Sequence, residues 1–225
     1  MGYRIAIDGP AGAGKSTTAR EVAKRLGFLY VDTGAMYRAV ALEVKRKGLN
    51  LADRAEIINV ARNSKIEFEW NSGSLRVFLN GEDVTDDLRD NEIGQLASAV
   101  SVIPEVRDIL VDQQREYGGK FDVVMEGRDI GTNVFPDADV KIYMDASVEE
   151  RARRRLGDLK RKGEDIPFED VVREIEARDK RDSTREYAPL RRADDAIYVD
   201  TTGLSFEEQV EKIIEIIKRK IQREV

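Results

Sequence analysis

The chain has 225 residues without Cys or His, and 38 basic against 44 acidic side chains leave a formal charge of −6 at pH 7. Lacking cysteine, it can form no disulfide, thiolate nucleophile or thiolate metal site; lacking imidazole, it can hold no Ser-His-Asp triad, phosphohistidine, His-ligated zinc or histidine general base. Chemistry is left to carboxylates, Lys, Arg, hydroxyls, backbone amides or Mg²⁺, in a chain long enough for one or two globular domains.

Arg4 to Asp8 reads as a short buried strand, Gly9 to Gly14 as a glycine-rich loop, and about Lys15 to Leu26 as a helix with Ala19, Val22, Ala23 and Leu26 on one stripe. A second apolar run, Phe28 to Val31, precedes a helix from about Gly34 to Lys47 that ends at Gly48. Lys65 to Trp70 and Ser74 to Leu79 flank Asn71-Ser72-Gly73, and Asn80-Gly81 leads into Glu82 to Val84, which predicts a small antiparallel sheet. Helices follow at about Asn91 to Ser101 and Pro104 to Tyr117. Strands at Val123 to Met125, Val140 to Met144 and Ala196 to Val199, each followed by a loop or helix, predict a parallel sheet sandwiched by helices. The closing helix, about Ser205 to Arg223, carries Phe206, Val210, Ile213, Ile214, Ile217 and Ile221 on a core-facing stripe. The expected organisation is a core of residues 1–34 and 120–225, with a subdomain of residues 35–119 inserted in it.

Gly9-Pro10-Ala11-Gly12-Ala13-Gly14-Lys15-Ser16 satisfies G-x-x-x-x-G-K-[ST] between a predicted strand and a predicted helix. The glycines let successive N–H groups turn around a phosphate, the helix adds its positive end, Lys15 reaches the β- and γ-phosphates, and the Ser16 hydroxyl ligates Mg²⁺. There is no N-K-x-D guanine signature, Asp129-Ile130-Gly131-Thr132 is not the D-x-x-G of a GTPase switch, and no run of four apolar residues ends in Asp-Glu. A small phosphotransferase is the economical reading.

An acceptor that is itself a phosphate needs a second anion site. Arg38, in Asp32-Thr33-Gly34-Ala35-Met36-Tyr37-Arg38, and Gly127-Arg128-Asp129 both follow predicted strands at the edge where open α/β sheets bind ligands. Ser147 to Glu150 forms a capping box ahead of Arg151, Arg153, Arg154, Arg155, Lys160, Arg161 and Lys162, which meet only Asp158. This basic stretch reads as a solvated face or as a mobile lid closing over ATP; a nucleic-acid patch fits poorly with the acidic total. Arg178, Asp182 and Arg185 share one face if the helix from about Pro167 continues, either as a surface ion-pair array or as a second anion site.

Four separated segments, Ile7 to Ser16, Asp32 to Arg38, Gly127 to Thr132 with Val134-Phe135-Pro136-Asp137-Ala138, and Arg178 to Arg185 with Ala188-Pro189-Leu190, together resemble the cytidylate kinase family in its long bacterial form, over nearly the whole chain. The resemblance implies a five-stranded parallel sheet in the order 2-3-1-4-5, a β insert near residues 65–84 in a nucleoside-monophosphate-binding region, and a helical lid near residues 150–166. It implies transfer of the γ-phosphoryl of Mg·ATP to CMP or dCMP without a general base, since the acceptor oxygen is already anionic. ATP would be held by Gly9, Pro10, Ala11, Gly12, Ala13, Gly14, Lys15, Ser16 and Thr17 with lid arginines among Arg151, Arg154 and Arg155; either Ser16 or Thr17 could ligate Mg²⁺. Arg38, Arg128 and Arg185 would hold the acceptor phosphate, Arg178 and Asp182 would reach the ribose, Ser98, Arg107 and Asp129 would read cytosine, and Thr33 and Tyr37 would line the same site. Another small kinase acting on UMP, AMP or a non-nucleotide, and a nucleotide-dependent RNA-binding protein, are the competing readings. The expected setting is the cytoplasm, because no apolar run approaches the roughly 18 residues of a membrane span and Met-Gly-Tyr-Arg opens no signal-peptide core, and the resemblance implies a monomer. The ionic, Cys- and His-free composition hints at a thermophile.

Overall fold

The computed structural model describes residues 2–71, 74–161 and 163–221. The predicted Ser72-Gly73 turn, Lys162 and the closing helix beyond Ile221 lie outside these residues. By its contacts the chain divides into two compact units, Met1–Tyr30 with Tyr117–Val225, and Val31–Glu116.

The first unit is built on a parallel sheet whose strands, in chain order, are β1 (Arg4–Asp8), β2 (Leu29–Asp32), β6 (Val123–Gly127), β7 (Val140–Asp145) and β8 (Ile197–Asp200). Their spatial order is β2-β6-β1-β7-β8, the expected 2-3-1-4-5 when only these five are counted. β1 lies between β6 and β7, with Ile5 opposite Val124 on one side and Val140 on the other. Ile5, Ala6 and Ile7 are fully buried, which is why this strand reads as an unbroken apolar run. Helix α1 (Lys15–Leu26) packs on β6 and on the closing helix α8 (Phe206–Ile221). The α8 stripe Val210, Ile213, Ile214 and Ile217 is buried, whereas Phe206, at the first helical position, is 48% exposed and stands outside the core assigned to it. Helices α6 (Val148–Arg161) and α7 (Phe168–Thr184) form an antiparallel pair around Ala152, Leu159, Val171 and Ile175. Among the described residues no helix is long and apolar enough to cross a membrane.

The second unit opens with α2 (Thr33–Arg46), started by Asp32, whose carboxylate accepts the Ala35 N–H at 2.8 Å. Next comes α3 (Arg54–Arg62), absent from the predicted elements; Ile57, Val60 and Ala61 form its short buried face. An antiparallel sheet of β3 (Ile66–Asn71), β4 (Ser74–Leu79) and β5 (Glu82–Asp83) follows. Asn80 (φ 53°) and Gly81 (φ 85°) make the left-handed pair that a two-residue hairpin turn requires. Helix α4 (Asn91–Val100) packs on α2, and α5 (Pro104–Lys120) leads back to β6.

Candidate functional site

The loop between β1 and α1 has the geometry of a phosphate cradle. Gly9 (φ 148°) is backed by the Met144 carbonyl, which an added Cβ would meet at 1.9 Å, and Gly14 (φ 87°) delivers the loop into the first turn of α1. The Lys15 ammonium folds back over the loop and donates to the Pro10 carbonyl at 2.6 Å. Burial, reinforced by the charge of Arg128, brings its pKa from 10.5 down to about 7. Asp8, the last residue of β1, is buried as well, and desolvation pushes its carboxyl up to about 7.

Ser16 and Thr17 are separated by their surroundings. Both are exposed, but the Thr17 hydroxyl donates to the Gly14 carbonyl of its own turn at 3.0 Å. The Ser16 hydroxyl donates to Glu126 at 2.6 Å, and Tyr30 donates to the same carboxylate at 3.4 Å. A hydroxyl in the first turn of α1 beside a carboxylate near the end of β6 makes an oxygen donor set that suits Mg²⁺. Glu126 was missed in the sequence; its signal is the run Val123-Val124-Met125-Glu126, three apolar residues and one acid, shorter than the four-residue pattern sought there.

The arginines of α6 are largely committed to the protein. Arg151 donates to the Ala146 and Ala11 carbonyls, both at 3.0 Å, and to Asp179 at 2.5 Å. Arg154 donates to Glu150 at 2.9 Å, to the Thr201 carbonyl at 2.7 Å and, more loosely, to the Ala13 carbonyl at 3.3 Å. Two loop carbonyls are therefore gripped from α6. Arg153 pairs with Glu150 and Arg161 with Asp158. The capping box is half formed: the Ser147 hydroxyl accepts the Glu150 N–H, while the Glu150 carboxylate turns to Arg153 and Arg154. Arg155 lies half-buried on the same helix.

On α7 and the loop after β6, cations and carboxylates interleave. Arg128 donates to Asp182 at 2.9 Å; burial opposes the charge of each, but their mutual attraction prevails, raising the arginine and lowering the aspartate. Arg185 donates to the Ala188 carbonyl at 2.7 Å and lies 3.4 Å from Asp129. Arg178 is on α7 one turn ahead of Asp182, as the spacing predicts. The first unit thus brings Lys15, Arg128, Asp129, Arg178, Asp182 and Arg185 onto the phosphate loop, the loop after β6 and the end of α7.

The second unit holds the other predicted acceptor residues. Arg38 donates to Asp32 at 2.9 Å, one turn into α2 from buried Thr33. On α5, Arg107 is buried, donates to the Ser101 carbonyl at 3.2 Å and lays its guanidinium 5.3 Å from the Tyr37 ring centre. Ser98 is buried on α4, and its hydroxyl has no hydrogen-bond partner among the described residues, which is uncommon for a buried polar group.

Comparison with known proteins agrees with the geometry. A family model described as cytidylate kinase matches residues 5–219. A cytidylate kinase of Caldanaerobacter subterraneus subsp. tengcongensis is 51% identical, covering 99% of this chain and 97% of its own length. One from Carboxydothermus hydrogenoformans is also 51% identical, covering 96% and 98%. Among solved structures, an uncharacterized protein from Eubacterium ventriosum (TM-score 0.54, 13% identity, 97% of this chain and 99% of that one) and TT1252 from Thermus thermophilus (0.50, 17%, 98% of each) share the fold.

Proposed function

The chain belongs to the cytidylate kinase family, and from that premise we propose that it transfers the γ-phosphoryl of Mg·ATP to the phosphate of CMP or dCMP, giving ADP and CDP or dCDP. The observation that carries the proposal is a complete phosphate loop in one unit with a separate set of arginines, each held by a carboxylate, that can receive a second anion.

On the donor side, the backbone of Gly9 to Gly14 with Lys15 binds the triphosphate, and Arg154 and Arg155 add positive charge from α6. We assign Arg151 a supporting part, because three of its donors are spent on the protein. Ser16 and Glu126, already in contact with each other, would hold Mg²⁺, which would supply charge neutralisation at the phosphate oxygens. On the acceptor side, Arg38, Arg128 and Arg185 bind the monophosphate while Arg178 and Asp182 take the ribose, with Thr33 and Tyr37 beside them. No residue need remove a proton, because the attacking oxygen is already anionic; positioning and charge neutralisation do the work, as suits a chain without histidine.

Cytosine presents an N4 amine beside N3 and O2 acceptors. The Asp129 carboxylate, the Ser98 hydroxyl and the Arg107 guanidinium complement that pattern, and the unpartnered Ser98 hydroxyl supports it. Uracil, with O4 and N3–H, meets the wrong partners, and unpaired buried groups reject it. The setting we propose is a cytoplasmic monomer without a nucleic acid polymer or membrane as partner.

The test is ADP production from Mg·ATP with CMP, dCMP, UMP, AMP and GMP offered singly, with Lys15→Ala as blank. CMP and dCMP well above the rest, with the signal lost in Lys15→Ala, is the expected outcome. ATP binding without phosphorylation of any monophosphate overturns the acceptor assignments.

A further inference from the structure

Asp129 begins the π-type turn Ile130–Val134, and its backbone carbonyl accepts the N–H groups of Asn133 (2.9 Å) and Val134 (3.2 Å). That is the N-cap position, where an aspartate ordinarily folds its own carboxylate back onto the first free N–H groups. Here it makes no such bond. The free N–H groups of the turn's start, Ile130 and Gly131, are taken by Asp8 from the end of β1: its two carboxylate oxygens accept them at 2.8 and 2.7 Å. The Asp129 carboxylate instead points to the Asn133 amide at 3.1 Å and towards Arg185 at 3.4 Å.

We propose that Asp8 is a positioning residue that caps this turn in place of Asp129 and thereby keeps the Asp129 carboxylate available to read the acceptor's base. The inference rests on the assignment of Asp129 to cytosine made above. Its physical content is a competition. Two adjacent N–H groups in a buried turn must find an acceptor, and the nearest in sequence is Asp129 itself. While Asp8 occupies both donors, the Asp129 side chain has no reason to turn back; take one acceptor oxygen away from position 8 and it does. The same carboxylate cannot cap the turn and meet the N4 amine, so Asp8 influences base selectivity without touching the base.

The experiment compares Asp8→Asn, Asp8→Glu, Asp129→Asn and the double variant Asp8→Asn with Asp129→Asn, each assayed for kcat and KM with CMP, UMP and ATP and melted to confirm folding. Asp8→Asn is isosteric but offers one acceptor oxygen instead of two. The expected result is a rise in KM for CMP and a fall of at least about tenfold in the ratio of CMP to UMP efficiency, with KM for ATP within about twofold of the parent. Asp8→Glu, which keeps both oxygens, recovers part of the ratio. In the Asp129→Asn background the Asp8→Asn change no longer alters selectivity, because the residue it positions is gone. The proposal is overturned if Asp8→Asn keeps the parent selectivity, if it weakens ATP as much as CMP, or if, where Asp8→Asn fails to fold, a folded Asp8→Ser, which also offers a single acceptor oxygen, keeps the parent selectivity. If Asp129→Asn itself keeps the parent selectivity, the base assignment fails first; if Asp129→Asn loses selectivity while Asp8→Asn retains it, only the role of Asp8 fails.

Discussion

Arg151→Met separates a structural arginine from a nucleotide-binding one. The side chain is 5% exposed, and three acceptors depend on it: the Ala146 carbonyl, the Ala11 carbonyl of the phosphate loop and the Asp179 carboxylate. Removing one partner of a buried ion pair costs roughly 3–5 kcal/mol. Asp179 is 23% exposed, so water can replace part of the lost contact, which favours the lower figure of about 3 kcal/mol. With a urea dependence of about 2 kcal/mol per molar, the unfolding midpoint should fall by about 1.5 M. Arg151→Lys should recover less than half of that loss, since one ammonium cannot span acceptors on three segments. Asp179→Asn should cost far less in the Arg151→Met background than alone, because the pair is already broken. The assay is equilibrium urea unfolding followed by far-ultraviolet circular dichroism, with KM for ATP measured on the same preparations. A midpoint shift below about 0.3 M accompanied by a rise of tenfold or more in KM for ATP would refute the reasoning and return Arg151 to the nucleotide.

Glu126→Gln should leave the fold intact and raise the Mg²⁺ concentration needed for half-maximal turnover by about tenfold or more, read from a Mg²⁺ titration at fixed ATP; an unchanged titration removes Glu126 from the metal site. Gly9→Ala places a Cβ 1.9 Å from the Met144 carbonyl at a φ of 148°, so close contact and backbone strain together should cost about 3 kcal/mol or more, seen as a lower melting temperature; a parent-like melt contradicts the close approach of β7 to the loop. Lys15, with its pKa brought down to about 7, holds fewer protons folded than unfolded from about pH 7 to 10.5, so its contribution makes the unliganded protein more stable as pH rises through that window. A bound triphosphate reverses the shift, and Mg·ATP binding at pH 8 should take up as much as about one proton, measured by calorimetry in buffers of different ionisation enthalpy; equal uptake in Lys15→Met shows that the proton goes elsewhere.

What could be read in the sequence was whatever local rules determine. The β1 and α1 limits follow from three apolar residues flanked by Arg4 and Asp8, a glycine-rich loop and a helical stripe, and Asn80-Gly81 announces its own hairpin through the conformation it must adopt. The run Val210 to Ile217 declared a buried face, yet Phe206 in the same phase is exposed, because period alone does not say where along a helix its cover begins. Helix α3 escaped because nine residues with three buried side chains give too short a pattern. The partners of charged groups are a different matter. Glu126 meets Ser16 across 110 positions, Asp8 meets Ile130 across 122 and Arg151 meets Ala11 across 140, and no window of sequence contains such pairs. Composition showed that α6 is basic, and Glu150 and Asp158 lie within helical reach of its arginines; only tertiary structure shows that Arg151 and Arg154 are also answered by Asp179 and the phosphate-loop carbonyls, which weakens the ground for reading the helix as an RNA grip.

The carboxylates beside Arg128 and Arg185 explain how the proposed anion site can be stable before its anion arrives. A buried guanidinium with no counter-charge is expensive, and two of them facing one another would be more so. Asp182 and Asp129 answer those charges, and hold the guanidinium groups in fixed orientations through short contacts with Asp182 and the Ala188 carbonyl. An arriving phosphate brings its own negative charge and can take over part of that duty. The carboxylates then have acceptor capacity to offer hydroxyl and amine donors, which are what the sugar and base of a cytidine nucleotide present. In this scheme the aspartates are partners of the arginines before the nucleotide arrives and ligands of the nucleotide afterwards, and neither state leaves a buried charge unanswered. Arg128→Met should therefore do more than weaken phosphate binding: buried Asp182 loses the largest of the attractions that lower its pKa, keeping only those of Arg178 and Arg185, and the stability lost by the substitution should shrink on acidification, where protonation relieves the poorly paired charge. Urea midpoints of Arg128→Met that fall on acidification in parallel with those of the parent would show that the pair does not carry this load.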